Sequence, residues 1–180
     1  CDAAVESGVV VCVAAGNDGP GSFTIGAPGA ARLVITVGAS TDEDTVASFS
    51  SRGPTADNRV KPDVVAPGHL ITATRAARTS LGMPQDGYYT ECSGTSMATP
   101  LVAGLCALLL QKEPVLTPAQ VKARLMSTAV DLDEHPCVQG QGRVDALKAI
   151  ENTGDAPEDP GEGGSPSRGG CLVPMLGVFT

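Results

Sequence analysis

The stretch Gly94-Thr95-Ser96-Met97-Ala98-Thr99-Pro100 places hydroxyl side chains at the mouth of an apolar run, Leu101 to Leu110. A serine in the first turn of a buried helix sits among backbone N–H groups without intrahelical acceptors, at the positive end of the helix dipole. That setting suits a nucleophile whose attack on a carbonyl creates an oxyanion. Gly94, Ala98 and Gly104 are small enough for backbone and substrate to approach closely. The plainer alternative is that Ser93, Thr95 and Ser96 only cap the helix. It leaves unexplained why a buried helix opens with a hydroxyl-rich, Gly-flanked loop. In VVVCVAAGNDGP, Asn17 follows directly on a strand-like apolar run. Its amide can donate into the crevice at the strand end, and with the Ser96 N–H it would form an oxyanion hole for a tetrahedral acyl intermediate. Alone, Asn17 reads as a turn residue before Gly19; beside the serine block, the catalytic role prevails. A serine also needs a base, and the two histidines, His69 in APGHLITA and His135 in DEHPC, sit in loop settings remote in sequence from that block.

The elements that must position these groups follow from hydrophobic patterning. Residues 9–15 (VVVCVAA), 33–39 (LVITVGA) and 63–66 (DVVA) are apolar on both faces, which predicts buried parallel strands. The Gly/Pro/Ser/Asp-rich segments between them read as loops, where binding groups collect at strand ends. From Thr95 to about Lys112 apolar residues fall on nearly every face, the pattern of a helix buried all round. LTPAQVKARLMSTAV predicts a second helix with Thr117 as N-cap and Pro118 in the first position, its apolar face formed by Val121, Leu125 and Met126. Residues 142–152 predict a third, short one. The fold class is therefore α/β: part of a doubly wound, mostly parallel sheet with a buried central helix. Residues 1–152 read as the folded part. Residues 153–170, rich in Gly, Pro and acidic residues, read as a linker. Residues 171–180 read as an apolar tail, either a frayed terminus or the start of a truncated anchor or second module.

Composition narrows the function classes. Across 180 residues the formal net charge is -8, which argues against nucleic acid or an anionic membrane as partner. There is no Trp, so the core rests on Val, Leu, Ala and Ile. The longest apolar runs fall well short of the roughly 20 residues that span a bilayer. None of the six cysteines forms a CxxC pair, which disfavours zinc. Cys12 and Cys106 read as buried thiols; Cys92 and Cys137 flank polar segments and could pair in an oxidising compartment, with the pairing left open by the sequence. The opening on Cys1, without Met or signal pattern, reads as the interior of a longer protein.

Several blocks, in order, resemble the subtilisin-like serine proteases, the subtilases, over about Gly8 to Asn152. AAGNDGP is similar to the family's oxyanion block, and TIGAPGAARLVITVGA to one wall of its primary specificity pocket. ASFSSRGPTADNRVKPDVVAPG matches the stretch after that wall, GTSMATPLVAG the nucleophile block and GQGRVDALKAI the closing helix. The resemblance implies the C-terminal half of a catalytic domain, with Ser96 as nucleophile, Asn17 as oxyanion donor and Thr95 in secondary support of the same anion. It implies Ala14, Ala15 and Gly16 at the base of the primary pocket, Gly26 near its far wall, and a cis peptide at Ala27-Pro28. It implies no required cofactor. Asp63 matches a position that in some relatives helps hold a weakly bound structural cation, calcium or sodium; here a solvated or strand-end Asp is the expected alternative. Met97 implies sensitivity to peroxide. Leu101 departs from the His common after the Pro, which affects packing only, and an insert around Ala56 to Lys61 is shared with larger relatives.

The family's triad runs Asp, His, Ser along the chain, and its first two members belong upstream of Asn17, outside this sequence. Neither His69 nor His135 stands in the family's HGT setting. The related sedolisins share the SGTS serine but carry Asp at the oxyanion position, where this chain has Asn17. The expected activity is hydrolysis of peptide bonds through an acyl-enzyme on Ser96, with polypeptides as substrates and the upstream Asp/His-bearing part of the same protease as partner. Two alternatives stay open: one processed subunit of a two-part protease, and a catalytically silent subtilase-like binding scaffold. A secreted or cell-surface location, and membrane contact only through an anchor beyond residue 180, complete the expectation. An isolated half is expected to fold poorly or aggregate, with its sheet edge and core face uncovered.

Overall fold

The computed structural model of the chain describes residues 1–151; the linker and tail read at 153–170 and 171–180 lie outside the described residues. A short helix α1 (Asp2–Glu6) precedes strand β1 (Cys12–Ala14). Then come β2 (Ile35–Ser40), β3 (Val64–Pro67), β4 (Ile71–Thr74), β5 (Met83–Pro84) and β6 (Tyr89–Cys92). The remainder is helical: α2 (Thr95–Lys112), α3 (Pro118–Thr128), α4 (Pro136–Gln139) and α5 (Ala146–Glu151).

The three apolar runs form a parallel sheet in the order β1-β2-β3. Cys12 stands opposite Ile35, and Val37 opposite Val64. All six β2 residues are buried: Ile35, Val37 and Ala39 join the core, while the buried Thr36 hydroxyl donates to Gly29 O on the other face, so both faces of this central parallel strand are covered. Beyond β3 the chain returns to close the edge, Val65 N–H donating to Gly142 O at 2.9 Å and Val144 N–H to Val65 O at 3.0 Å. Against the sheet lies α2, whose Ala98, Val102, Leu105 and Leu109 join Val37, Val64 and Ala66 in one core with Val121 and Leu125 of α3. Cys12 Sγ and Cys106 Sγ lie 3.9 Å apart between β1 and α2, both as free thiols. Cys92 is also a free thiol, so it is not paired with Cys137.

The predicted capping of α3 is present. Gln120 N–H donates to Thr117 Oγ1, and the Gln120 side chain accepts from the Thr117 N–H at 2.9 Å. Three expectations are corrected. First, α2 is not buried all round: Leu101 and Leu108 are 48% and 51% exposed, and Ala103, Gly104 and Ala107 are exposed as well. The described residues supply core partners for one face of the helix only. Second, the region read as loop between β3 and α2 contains a second, antiparallel sheet in the order β4-β6-β5. Its strands are mostly exposed, so they lack the buried alternation by which a half-buried strand is recognised. Third, β1 is half-buried along its length rather than buried, because no strand of the described residues pairs with its outer edge.

Candidate active site

Ser96 enters the site because α2 begins where β6 ends. Gly94, the N-cap, is anchored by its N–H to Gly68 O at 2.8 Å, in the turn that follows β3. Leu70 N–H donates to Ser93 Oγ at 2.9 Å, so the loops before and after the second sheet are tied together at the helix start. Ser96 is exposed. Its backbone N–H, in the first turn, finds no acceptor among the described residues. Pro100 lacks the N–H that would bond to the Ser96 carbonyl, loosening the first turn on the serine's own stripe.

Asn17 stands three residues past β1 and faces the same turn. Its Oδ1 accepts from the Thr95 N–H at 2.9 Å and from the Thr95 hydroxyl at 3.0 Å. Those two bonds orient the amide: oxygen toward the helix start, and Nδ2 left without an acceptor among the described residues. A Cβ placed on Gly94 would lie 3.5 Å from Asn17 Nδ2 and 3.7 Å from Met97 Sδ, so the free amide and the methionine converge on one point at the helix mouth. Thr95 is fully buried, and its oxygen also accepts from the Gly16 N–H at 3.3 Å. With its proton donated to Asn17, the Thr95 hydroxyl bears on this site through the orientation of that amide.

Ala14, Ala15 and Gly16 run from the end of β1 toward Asn17, Ala15 buried and Ala14 and Gly16 half-buried. Gly16 has φ +111°, and a Cβ there would lie 2.7 Å from Ser51 Oγ, so glycine is required on both backbone and steric grounds. The segment 26–29 comes back over this strand end, Gly29 approaching Ala14 O and Ala15 O closely enough that a Cβ would be 3.0 and 3.4 Å away. Gly26 is exposed and has nothing within 4 Å of a Cβ position, which is open room beside the strand end. The Ala27-Pro28 peptide is cis. A hollow of about 430 Å³ lined by Val13, Ala14, Pro28, Ser96 and Thr99 lies on this side of the serine. A second hollow, of about 520 Å³, lies toward the second sheet and shares Ser96 and Asn17.

The structure does not bring either histidine's ring into a hydrogen bond with Ser96. His69 lies against the Phe49 ring, centroids 6.4 Å apart. His135 caps α4, its Nδ1 accepting from the Cys137 N–H at 3.1 Å.

Asp63 does not lie in solvent. It is 6% exposed, and each of its oxygens is already held: Oδ2 by Lys61 Nζ at 2.6 Å and Oδ1 by Lys122 Nζ at 2.9 Å. Oδ2 also accepts from the Thr36 N–H at 2.7 Å, and both ammonium groups donate to Val34 O. Two ammonium charges on the one carboxylate do not fit a metal ion there. Burial is the main reason the Lys61 ammonium has its pKa lowered to about 8, with Asp63 opposing the shift and Lys122 adding to it. The sequence carried no signal for Leu81, Gly82, Met83 or Glu91 as site residues, because they reach the serine only through the fold of the second sheet.

With this geometry in view, the chain can be set beside known proteins. A family model described as the subtilase family matches residues 1–149. Serine protease AprX of Bacillus subtilis (strain 168) is 47% identical over 159 residues, covering 81% of this chain and 36% of that protein. Subtilisin amylosacchariticus of Bacillus subtilis subsp. amylosacchariticus is 45% identical over 152 residues, covering 83% of this chain and 36% of that protein. Among solved structures, fervidolysin from Fervidobacterium pennivorans, a keratinolytic enzyme related to subtilisin, superposes with a TM-score of 0.69 at 33% identity. That match covers 87% of this chain and 24% of fervidolysin. The chain thus spans little more than a third of the length of these curated relatives.

Proposed function

From the premise that this chain belongs to the subtilase family of serine proteases, we propose that it supplies the nucleophile and oxyanion half of an endopeptidase active site. Ser96 Oγ attacks the scissile carbonyl, forming the ester bond of an acyl-enzyme as the C–N bond breaks and the amine leaves. Asn17 Nδ2 and the Ser96 N–H donate to the oxyanion. The observation that carries this reading is the orientation of Asn17: Thr95 engages its oxygen twice and leaves its N–H2 group free at the mouth of α2. Ala14, Ala15, Gly16 and Gly26 take the side chain on the acyl side, where Gly26 leaves room for a sizeable residue. The triad Asp and His come from an upstream part of the same protease. Substrates are polypeptides, the protease is secreted or at the cell surface, and the acyl transfer requires no cofactor.

Two rival readings are separated by the same experiment, labelling of Ser96 with a fluorophosphonate probe on this chain alone and on the chain extended upstream. Labelling confined to the extended form is the expected result, and it would be abolished by Ser96→Ala. Labelling of the chain alone that is lost with His69→Ala or His135→Ala would mean the base lies within this chain after all. No labelling of a folded, extended protein would leave a silent binding scaffold as the better reading. The mass of the native polypeptide tells a processed subunit from a single longer chain.

A further inference from the structure

The second sheet builds something that the acyl-transfer chemistry does not itself require. Between β4 and β6 the chain makes an excursion, and β5 brings it back antiparallel to β6 with Met83 opposite Glu91. The excursion is held in place: Thr90 Oγ1 donates to Leu81 O at 2.8 Å, and Gln85 N–H to Tyr89 O at 3.0 Å. Gly82, at φ +73°, lies directly on Cys92, and a Cβ there would overlap the Cys92 sulfur. Only glycine permits that contact, and it sets Leu81 and Met83 as a wall beside the helix mouth.

The wall closes the hollow of about 520 Å³ whose opposite side is Ser96, Asn17 and Met97. Leu81 and Met83 are 66% and 58% exposed, an unusual investment of apolar side chains in a surface next to a nucleophile. On the same wall Glu91 has no ion-pair partner among the described residues. Ser96 stands between this hollow and the one beside β1. An acyl group bound toward Ala14 to Gly16 therefore leaves the opposite hollow to the segment that departs as the amine.

We propose that the β5 arm, through Leu81 and Met83, is a specificity element for the residue that follows the scissile bond, selecting an apolar side chain there while Glu91 disfavours an acidic one. This rests on the acyl-transfer reading above and adds the substrate class on the leaving side. An apolar side chain of Leu, Met or Phe size covers Leu81, Met83 and Met97 and removes their surface from water. An acidic side chain would meet the Glu91 carboxylate across a partly desolvated hollow.

The test uses the chain extended by its upstream part and a peptide series with a constant acyl side, varied only at the residue after the scissile bond among Leu, Met, Phe, Lys and Asp. The expected kcat/KM is about 10-fold or more higher for Leu, Met and Phe than for Asp, the scale of a single apolar pocket contact. Leu81→Ser combined with Met83→Ser should level the apolar advantage, and Glu91→Gln should raise the Asp substrate toward the neutral ones. A wild-type profile flat across the series overturns the pocket without needing any variant. An apolar preference that survives the double substitution overturns its assignment to the arm. Fluorophosphonate labelling, which requires Ser96 but no departing peptide, separates the two levels. A labelled protein with a flat profile fails only this proposal, and an unlabelled one fails the acyl-transfer reading and this with it.

Discussion

The two edges of the parallel sheet are finished in opposite ways. At the β3 edge the chain supplies its own closure, residues 142–144 bonding to Val65, and beside that edge it buries Lys61, Asp63 and Arg124 with their partners in place. At the β1 edge no strand of the described residues pairs; a hollow opens there against Thr99 and Pro100. On a helix the stripe through Pro100 continues to Ala103, Gly104 and Ala107, and these are exposed, as are Leu101 and Leu108. The difference shows that the described residues cover only one of the two sides of α2. The inner side is a finished core; the outer side is also apolar in sequence and has no cover among the described residues. An open parallel edge beside an apolar helix face is unfavourable in water and prone to association.

Substitutions on the two sides of α2 break this contrast most directly. Leu109→Ala, on the fully buried side, should destabilise by about 2–5 kcal/mol, whether or not the upstream part is present, as read from urea midpoints. Leu108→Glu should differ between the two forms. In the chain alone, where Leu108 is half exposed, the effect on the midpoint should stay within about 0.5 kcal/mol and solubility should improve. In the extended protein it should cost about 2 kcal/mol or more, because an unpaired charge is buried. Equal effects in both forms would mean that nothing covers the outer side.

The finished side has its own tests. Arg124 is 1% exposed and pairs with Glu113 at 3.2 Å, but the Glu113 side chain is 27% exposed. Arg124→Met should therefore cost about 2 kcal/mol, less than the 3–5 kcal/mol lost when a fully buried pair is broken, because water reaches the abandoned carboxylate. Lys61 supplies a pH signature. Its pKa is about 8 in the fold against 10.5 for an ordinary lysine, so between those values the unfolded chain binds the proton that the folded chain has lost. The destabilisation from holding a buried ammonium is complete below about pH 8, and stability rises as pH climbs from there toward the ordinary lysine value. Urea midpoints across that window should rise, and Lys61→Met should flatten the Lys61 contribution. An unchanged slope in the variant would remove Lys61 as its source. The smallest effect belongs to the α3 cap: Thr117→Ala removes the capping box at about 1 kcal/mol, measurable by thermal unfolding.

The inner parallel strands were legible because a strand buried on both faces is rich in apolar, β-branched residues, as Val34 to Val37 are, whereas β1 is only half-buried. The α3 cap was legible because Thr117, Pro118 and Gln120 act within one turn. That Ser96 begins a helix and Asn17 follows a strand was legible from the local punctuation around each; their pairing rested on the family resemblance. The second sheet was not: its strands are exposed and short, and their pairing is decided by contacts between segments that share no periodic pattern.

What the sequence determined by itself, then, is what local chemistry encodes: the strand cores, the helix caps, a serine at a helix mouth and an asparagine at a strand end. Only the tertiary structure decided which way the Asn17 amide faces, since that depends on Thr95, 78 residues away. It alone paired Asp63 with two lysines, one of them on α3, turning an expected strand-end carboxylate into a buried ion cluster. Among the described residues it also left one face of α2 open, although inner and outer residues are both apolar. Apolarity states that a side chain will be covered, but the cover comes from whichever segment the fold brings within reach, and that is a long-range property no local window contains.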